Sequence, residues 1–104
     1  MMNICTMNRI ASCGTSRLDP ARFTATEELA GAAGVLVRSA SLHDTNLPST
    51  LYAIARAGAG VNNIPVDLCS ERGIVVFNTP GANANAVKEL VLAALFLSSR
   101  KVVD

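Results

Sequence analysis

LYAIARAGAGVNNIPVDLCSERGIVVF, residues 51–77, decides the fold. It opens on an apolar run, Leu51 to Ile54 with its continuation to Ala57, and closes on another, Gly73 to Phe77. Both runs are nearly continuous in apolar residues and rich in branched side chains, which predicts strands covered on both faces, as in a parallel sheet. Between them, Pro65 to Arg72 predicts a helix. Pro65 suits a first helical position, where a missing N–H costs nothing, and Gly73 can take the left-handed conformation that ends a helix. Strand, helix and strand in that order predict a parallel pair joined by a right-handed crossover.

Outward from this unit, Gly34 to Val37 predicts a third strand and Asn3 to Met7 a fourth. Pro20 interrupts the weakly patterned segment from Ala11 to Ala33, where helices are expected near Ser12 to Leu18 and Thr26 to Ala32. The last element, a helix from about Asn85 to Val103, repeats Val87, Leu90, Val91, Ala94 and Leu95 at helical spacing, so one face is expected to cover the sheet. Leu92 and Phe96 fall outside that stripe and need a second cover. The fold class is therefore α/β, an open parallel sheet flanked by helices, and 104 residues hold one domain rather than two.

Composition excludes several functions. Hydrophobic residues make up 50% of the chain and charged ones 16%, so apolar surface exceeds what so small a body hides and some of it is expected to meet a partner. A net charge of +1 without a basic cluster gives no reason to expect nucleic acid or an anionic membrane. Cys5, Cys13 and Cys69 form no Cys-x-x-Cys pair, so neither a disulfide framework nor a zinc site is expected, and reduced thiols in the cytoplasm are. Met1 to Ile10 lacks the basic start and apolar run of a signal peptide, and Leu90 to Leu97 is far shorter than the ~18 residues of a membrane span.

Gly58-Ala59-Gly60-Val61-Asn62-Asn63 follows a strand and precedes a helix, which suggests a dinucleotide fingerprint. Asn63 replaces its third glycine, and Val75-Val76-Phe77-Asn78 carries no acidic residue where a ribose would be held, so that fingerprint is rejected. A flexed loop with outward-facing amides at a strand end remains. It fits carboxylate or phosphate, or equally a tight turn without ligand. Arg38-Ser39 and Asn78 to Asn83 follow two other strands, so three polar loops should converge on one edge of the sheet. There Arg38 could grip an anion through its planar fork, or simply lie on the surface. Asn83 or Asn85 suits a helix N-cap, and one can cap the last helix while the other faces ligand. His43 has no partner placed by spacing and reads as a loop residue, while Lys88 and Glu89 read as a solvated pair.

Val35 to Ser39, Ala53 to Ile64, Gly73 to Asn83 and Ala86 to Val91 together resemble the D-2-hydroxyacid dehydrogenase family, and within it the members acting on 3-phosphoglycerate. The resemblance is close from Gly34 to Lys101 and loose before that. It implies a flavodoxin-like substrate-binding domain whose chain leaves for an inserted NAD-binding domain, residues 1–104 being the amino-terminal part and the cofactor domain absent. It implies that Arg38 and Ser39 face the substrate's phosphate or carboxylate, that the Gly58, Ala59 and Gly60 amides hold the carboxylate, that Ala59 lies near the nicotinamide, and that Asn83 borders the same cleft. The family's hydride-transfer arginine, glutamate and histidine come later than Asp104, so no catalytic residue or metal ligand is expected and the chain alone should be inactive. The implied parent activity is NAD-dependent oxidation of a D-2-hydroxy acid, 3-phosphoglycerate in serine biosynthesis; the alternative is a non-catalytic anion-binding or dimerisation module. The implied partners are a small anionic substrate, the NAD-binding domain and further copies of the chain.

Overall fold

The computed structural model describes residues 1–100. Its elements are β1 (Met2–Thr6), α1 (Ser12–Thr15), β2 (Phe23–Thr26), β3 (Gly34–Val37), β4 (Ala53–Arg56), α2 (Val66–Glu71), β5 (Val75–Phe77) and α3 (Ala84–Arg100). The five strands make one parallel sheet in the order β2-β1-β3-β4-β5, the flavodoxin-like arrangement. The α/β class and the parallel sheet agree with the sequence.

Register explains where the core sits. Thr26, Cys5, Val35, Ile54 and Val76 form one row across all five strands. Cys5, Val35 and Ile54 in that row are buried, together with Val37 on β3, and Leu42, Leu47, Leu51, Ile64, Cys69 and Ile74 close over them. The neighbouring row, Thr6, Leu36, Ala55 and Phe77, points to the other face and grades from half-buried to exposed. Strands covered on both faces are thus found only in part, because successive side chains alternate and one face lacks a full layer. Burial pushes the Cys5 thiol up, helped by the charge of Glu27, and pushes Cys69 up against the opposing pull of Arg72. Both thiols are free.

Gly73, at φ 72°, ends α2 as expected, while Pro65 sits one residue before the helix and offers its carbonyl to Cys69 N at 3.0 Å. The expected helix at Thr26 to Ala32 is absent. Its first residue closes β2, whose Phe-Thr-Ala-Thr run favours strand, and Gly31 at φ 76° turns the chain toward β3. The helix expected over Ser12 to Leu18 shrinks to one turn, with Gly14 inside it and no side-chain cap at its start.

The stripe of α3 does not cover the sheet. Val87, Leu90, Val91 and Leu95 are 51, 71, 53 and 58% exposed, and Leu92 and Phe96 are exposed as well. The helix extends away after the turn at Gly81, φ 78°. A radius of gyration of 17.4 Å reflects this extension, since a compact domain of this size has about 13 Å. The tail expected to reach Val103 lies partly outside the described residues. No helix among the described residues is long and apolar enough to cross a membrane.

Candidate functional site

Parallel strands deliver their carboxyl ends to one edge, and four loops meet there: Met7 to Ala11 after β1, Arg38 to Ala40 after β3, Ala57 to Asn63 after β4, and Asn78 to Asn83 after β5. Side-chain amides tie them together. Asn8, at φ 69°, folds back so that its Oδ1 accepts Arg38 N at 3.0 Å and Ala40 N at 2.9 Å. Asn63 Nδ2 donates to Arg38 O at 3.0 Å and Ala40 O at 2.9 Å from the other side, and Asn63 O accepts Leu42 N at 2.8 Å. The Arg38 loop is thus held from both flanks, and Arg38 Nη1 donates to Arg9 O at 3.3 Å.

The glycine loop is held by its carbonyls. Thr79 N donates to Gly58 O at 2.9 Å and Asn78 Nδ2 to Ala59 O at 2.8 Å, while Arg56 Nη1 donates to Gly60 O and to Asn62 Oδ1 at 3.3 Å. Among the described residues the amides of Gly58, Ala59 and Gly60 donate to no protein acceptor, so three N–H groups remain for an anion. A Cβ at 58 would stand 3.1 Å from Arg56 Nε, so a side chain there requires the guanidinium to shift by a few tenths of an ångström. Asn63, 8% exposed, leaves its Oδ1 unpaired and Arg56 leaves its Nε unpaired.

Two depressions adjoin on this edge. One, of about 320 Å³, is bordered by Arg9, Ile10, Cys13, Arg38 and Ala57, and the other, of about 340 Å³, by Ala57, Gly58, Thr79, Ala82 and Asn83. Ala57 is common to both, so Arg38 borders one depression and Gly58 and Asn83 border its neighbour. Ser39 lies beside Arg38 and is exposed, as are Ala59 and Gly60 on the crest of their loop. Asn83 also offers its carbonyl to Val87 N at 3.0 Å, taking the helix-start position, and Asn85 instead bonds Glu89 Oε1 at 3.2 Å. His43 is an exposed loop residue whose Nε2 meets Asn62 O at 2.6 Å, an acceptor that requires the proton on that nitrogen. Asn8, Arg56 and Asn63 are the contributors that sequence did not single out for the site. Among the described residues no His, Cys, Asp and Glu cluster could hold a metal ion.

Residues 10–101 match the profile of the family described as D-isomer specific 2-hydroxyacid dehydrogenase, catalytic domain. The chain belongs to the D-isomer specific 2-hydroxyacid dehydrogenase family. Similar proteins include the D-3-phosphoglycerate dehydrogenase of Mycobacterium leprae, 37% identical over 73 residues, which is 67% of this chain and 14% of that protein. The D-3-phosphoglycerate dehydrogenase of Archaeoglobus fulgidus is 37% identical over 71 residues, 65% of this chain and 14% of the relative. The hydroxypyruvate reductase of Thermotoga maritima is 46% identical over 52 residues, 50% of this chain and 17% of the relative. The chain thus spans only a minor part of these D-2-hydroxyacid dehydrogenases. Within it the glycine loop does not fit a dinucleotide: buried Asn63 stands where a third glycine would let a helix approach, and Arg56 is folded against Gly58 and Gly60.

Proposed function

We propose that residues 1–104 are the substrate-holding part of an NAD-dependent D-2-hydroxyacid dehydrogenase acting on 3-phosphoglycerate. The observation that supports this reading is that Arg38, Gly58 and Asn83 border two depressions joined at Ala57, with the amides of Gly58, Ala59 and Gly60 left without a protein acceptor among the described residues. The amides donate to the carboxylate, the planar fork of Arg38 and its neighbour Ser39 take the distal phosphate, and Asn83 borders the cleft. Binding at both ends orients the hydroxyl-bearing carbon between them. Ala59, exposed beside Gly58, would lie near the nicotinamide. NAD belongs to the cofactor domain of the parent protein, and the chain alone is inactive. The names of several relatives support phosphoglycerate, while the likeness to a hydroxypyruvate reductase favours a smaller substrate as the second reading. A non-catalytic anion-binding module is the alternative in which the same edge serves without hydride transfer.

Titration of the chain with 3-phosphoglycerate and NAD, followed by amide chemical shifts and nicotinamide absorbance, tests this. Shifts are expected at Arg38, Ser39, Gly58 to Gly60 and Asn83, without turnover. Shifts confined to the opposite edge of the sheet would overturn the site, and turnover would overturn the inactivity of the chain.

The chain also associates with further copies of itself through α3. Leu92 and Phe96 are 46 and 67% exposed, and burying such a Phe contributes about 1.5–3 kcal/mol. Sedimentation is expected to show a dimer or larger species that Leu92→Ser with Phe96→Ser dissociates; a wild type that stays monomeric at high concentration counts against it.

A further inference from the structure

We propose that Arg9 is a specificity-determining residue of this site, adding beside Arg38 a second guanidinium that favours substrates carrying a phosphate over those carrying a carboxylate alone. This rests on the reading that the Arg38 edge holds an anionic hydroxy acid. In the sheet order, β1 lies between β2 and β3, so the loops leaving β1 and β3 diverge and open a crevice between them. Arg9 sits in that crevice. It borders both the depression shared with Arg38 and Ala57 and a neighbouring one shared with Thr6, Asn8, Glu27 and Ala40.

Its position beside Arg38 is fixed by the backbone. Asn8 reverses the chain at φ 69° and anchors to both amides of the Arg38 loop, and Arg9 O receives Arg38 Nη1 at 3.3 Å. A guanidinium has five N–H donors, so this bond leaves Arg38 free to bind an anion. Arg9 is exposed, and its long stem lets the charged head swing between the two depressions. On the far side Glu27 borders the same depression as Arg9. On the near side two like charges repel until an anion sits between them, and a phosphate dianion relieves that repulsion more than a carboxylate does. A carboxylate alone is already served by the three free amides, so the extra cation matters chiefly for the second, larger charge.

The test uses the 104-residue chain with 3-phosphoglycerate and D-glycerate as probes, affinities being read from amide shift titrations. Arg9→Gln is expected to weaken 3-phosphoglycerate by about ten-fold, the loss typical of one charge-assisted hydrogen bond, and to leave D-glycerate unchanged. Arg9→Lys is expected to recover part of the loss. Equal effects of Arg9→Gln on both probes, or none on either, overturn the role of Arg9 while 3-phosphoglycerate shifts at Arg38 and Gly58 to Gly60 keep the proposed function standing. A wild type that binds neither probe at that edge overturns both. An amide spectrum of Arg9→Gln matching the wild type away from the crevice assigns the loss to binding rather than to unfolding.

Discussion

Asn63→Ala is expected to lower the free energy of unfolding by about 2–3 kcal/mol and to weaken 3-phosphoglycerate binding together with it. Its Nδ2 is the donor that Arg38 O and Ala40 O share, at 3.0 and 2.9 Å, and Asn63 is 92% buried from its 8% exposure. Alanine takes the donor from two carbonyls in part-buried hydrogen bonds, and each carbonyl left unpaired costs its desolvation. Removing the unpaired Oδ1 gives a little back, which is why the expected loss stays below the sum of two full penalties. Because the same bonds hold Arg38 in place, its loop should move more freely and the anion grip should loosen. Asn63→Asp separates donation from shape: an ionised carboxylate only accepts, faces two carbonyls, and should be at least as damaging. Urea unfolding followed by far-ultraviolet circular dichroism is the measurement, since the chain has no Trp and one Tyr. A stability change under about 0.5 kcal/mol, the level of an ordinary surface substitution, would mean that Asn63 does not bridge these loops.

Ile54→Ala should be costlier, with a loss of about 3–4 kcal/mol. Ile54 is fully buried on β4, between Val35 and Val76 in the row that crosses the sheet. Truncation removes transfer energy and leaves a hole beside Val35 and Val76, which collapses only in part. A domain of about 100 residues has ~5–15 kcal/mol in hand, so much of its stability would go. Ile54→Val should cost only about 0.5–1.5 kcal/mol. Phe77→Ala, on a residue 57% exposed, is the internal contrast and should cost less than Ile54→Ala despite removing more atoms. Equal midpoints for Ile54→Ala and Phe77→Ala in a denaturant series would refute this placing of the core.

The unit from β3 to β5 was legible because its signals are local: continuous branched runs, Pro65 before a helix and Gly73 after it. β2 was lost because Pro20 and the short Phe23 to Thr26 run carry a strand preference that only pairing with β1 makes decisive. The final helix was located correctly and its surroundings were not, since periodicity says that a face wants cover without saying what supplies it. At the site, Arg38, Gly58 and Asn83 could be found from the rule that strand ends line the crevice. Asn8 could not, because its hydrogen bonds reach 30 and 32 residues along the chain. Asn63 drew notice only as a missing glycine, and the structure supplies the physical reason: an amide that bridges two loops occupies that position. Arg56 lies in β4 as its run predicts, and only the fold turns its side chain back over the loop that follows.

The cross-ties at this edge have a further consequence for the chemistry they frame. Asn8, Asn63 and Asn78 make them with amides that carry no charge. None of these groups changes charge across the interval in which carboxylic acids and imidazoles titrate. If the edge holds a phosphorylated acid as proposed, these ties keep one shape while that acid passes from monoanion to dianion. Acidity then acts on the cargo rather than on the clasp.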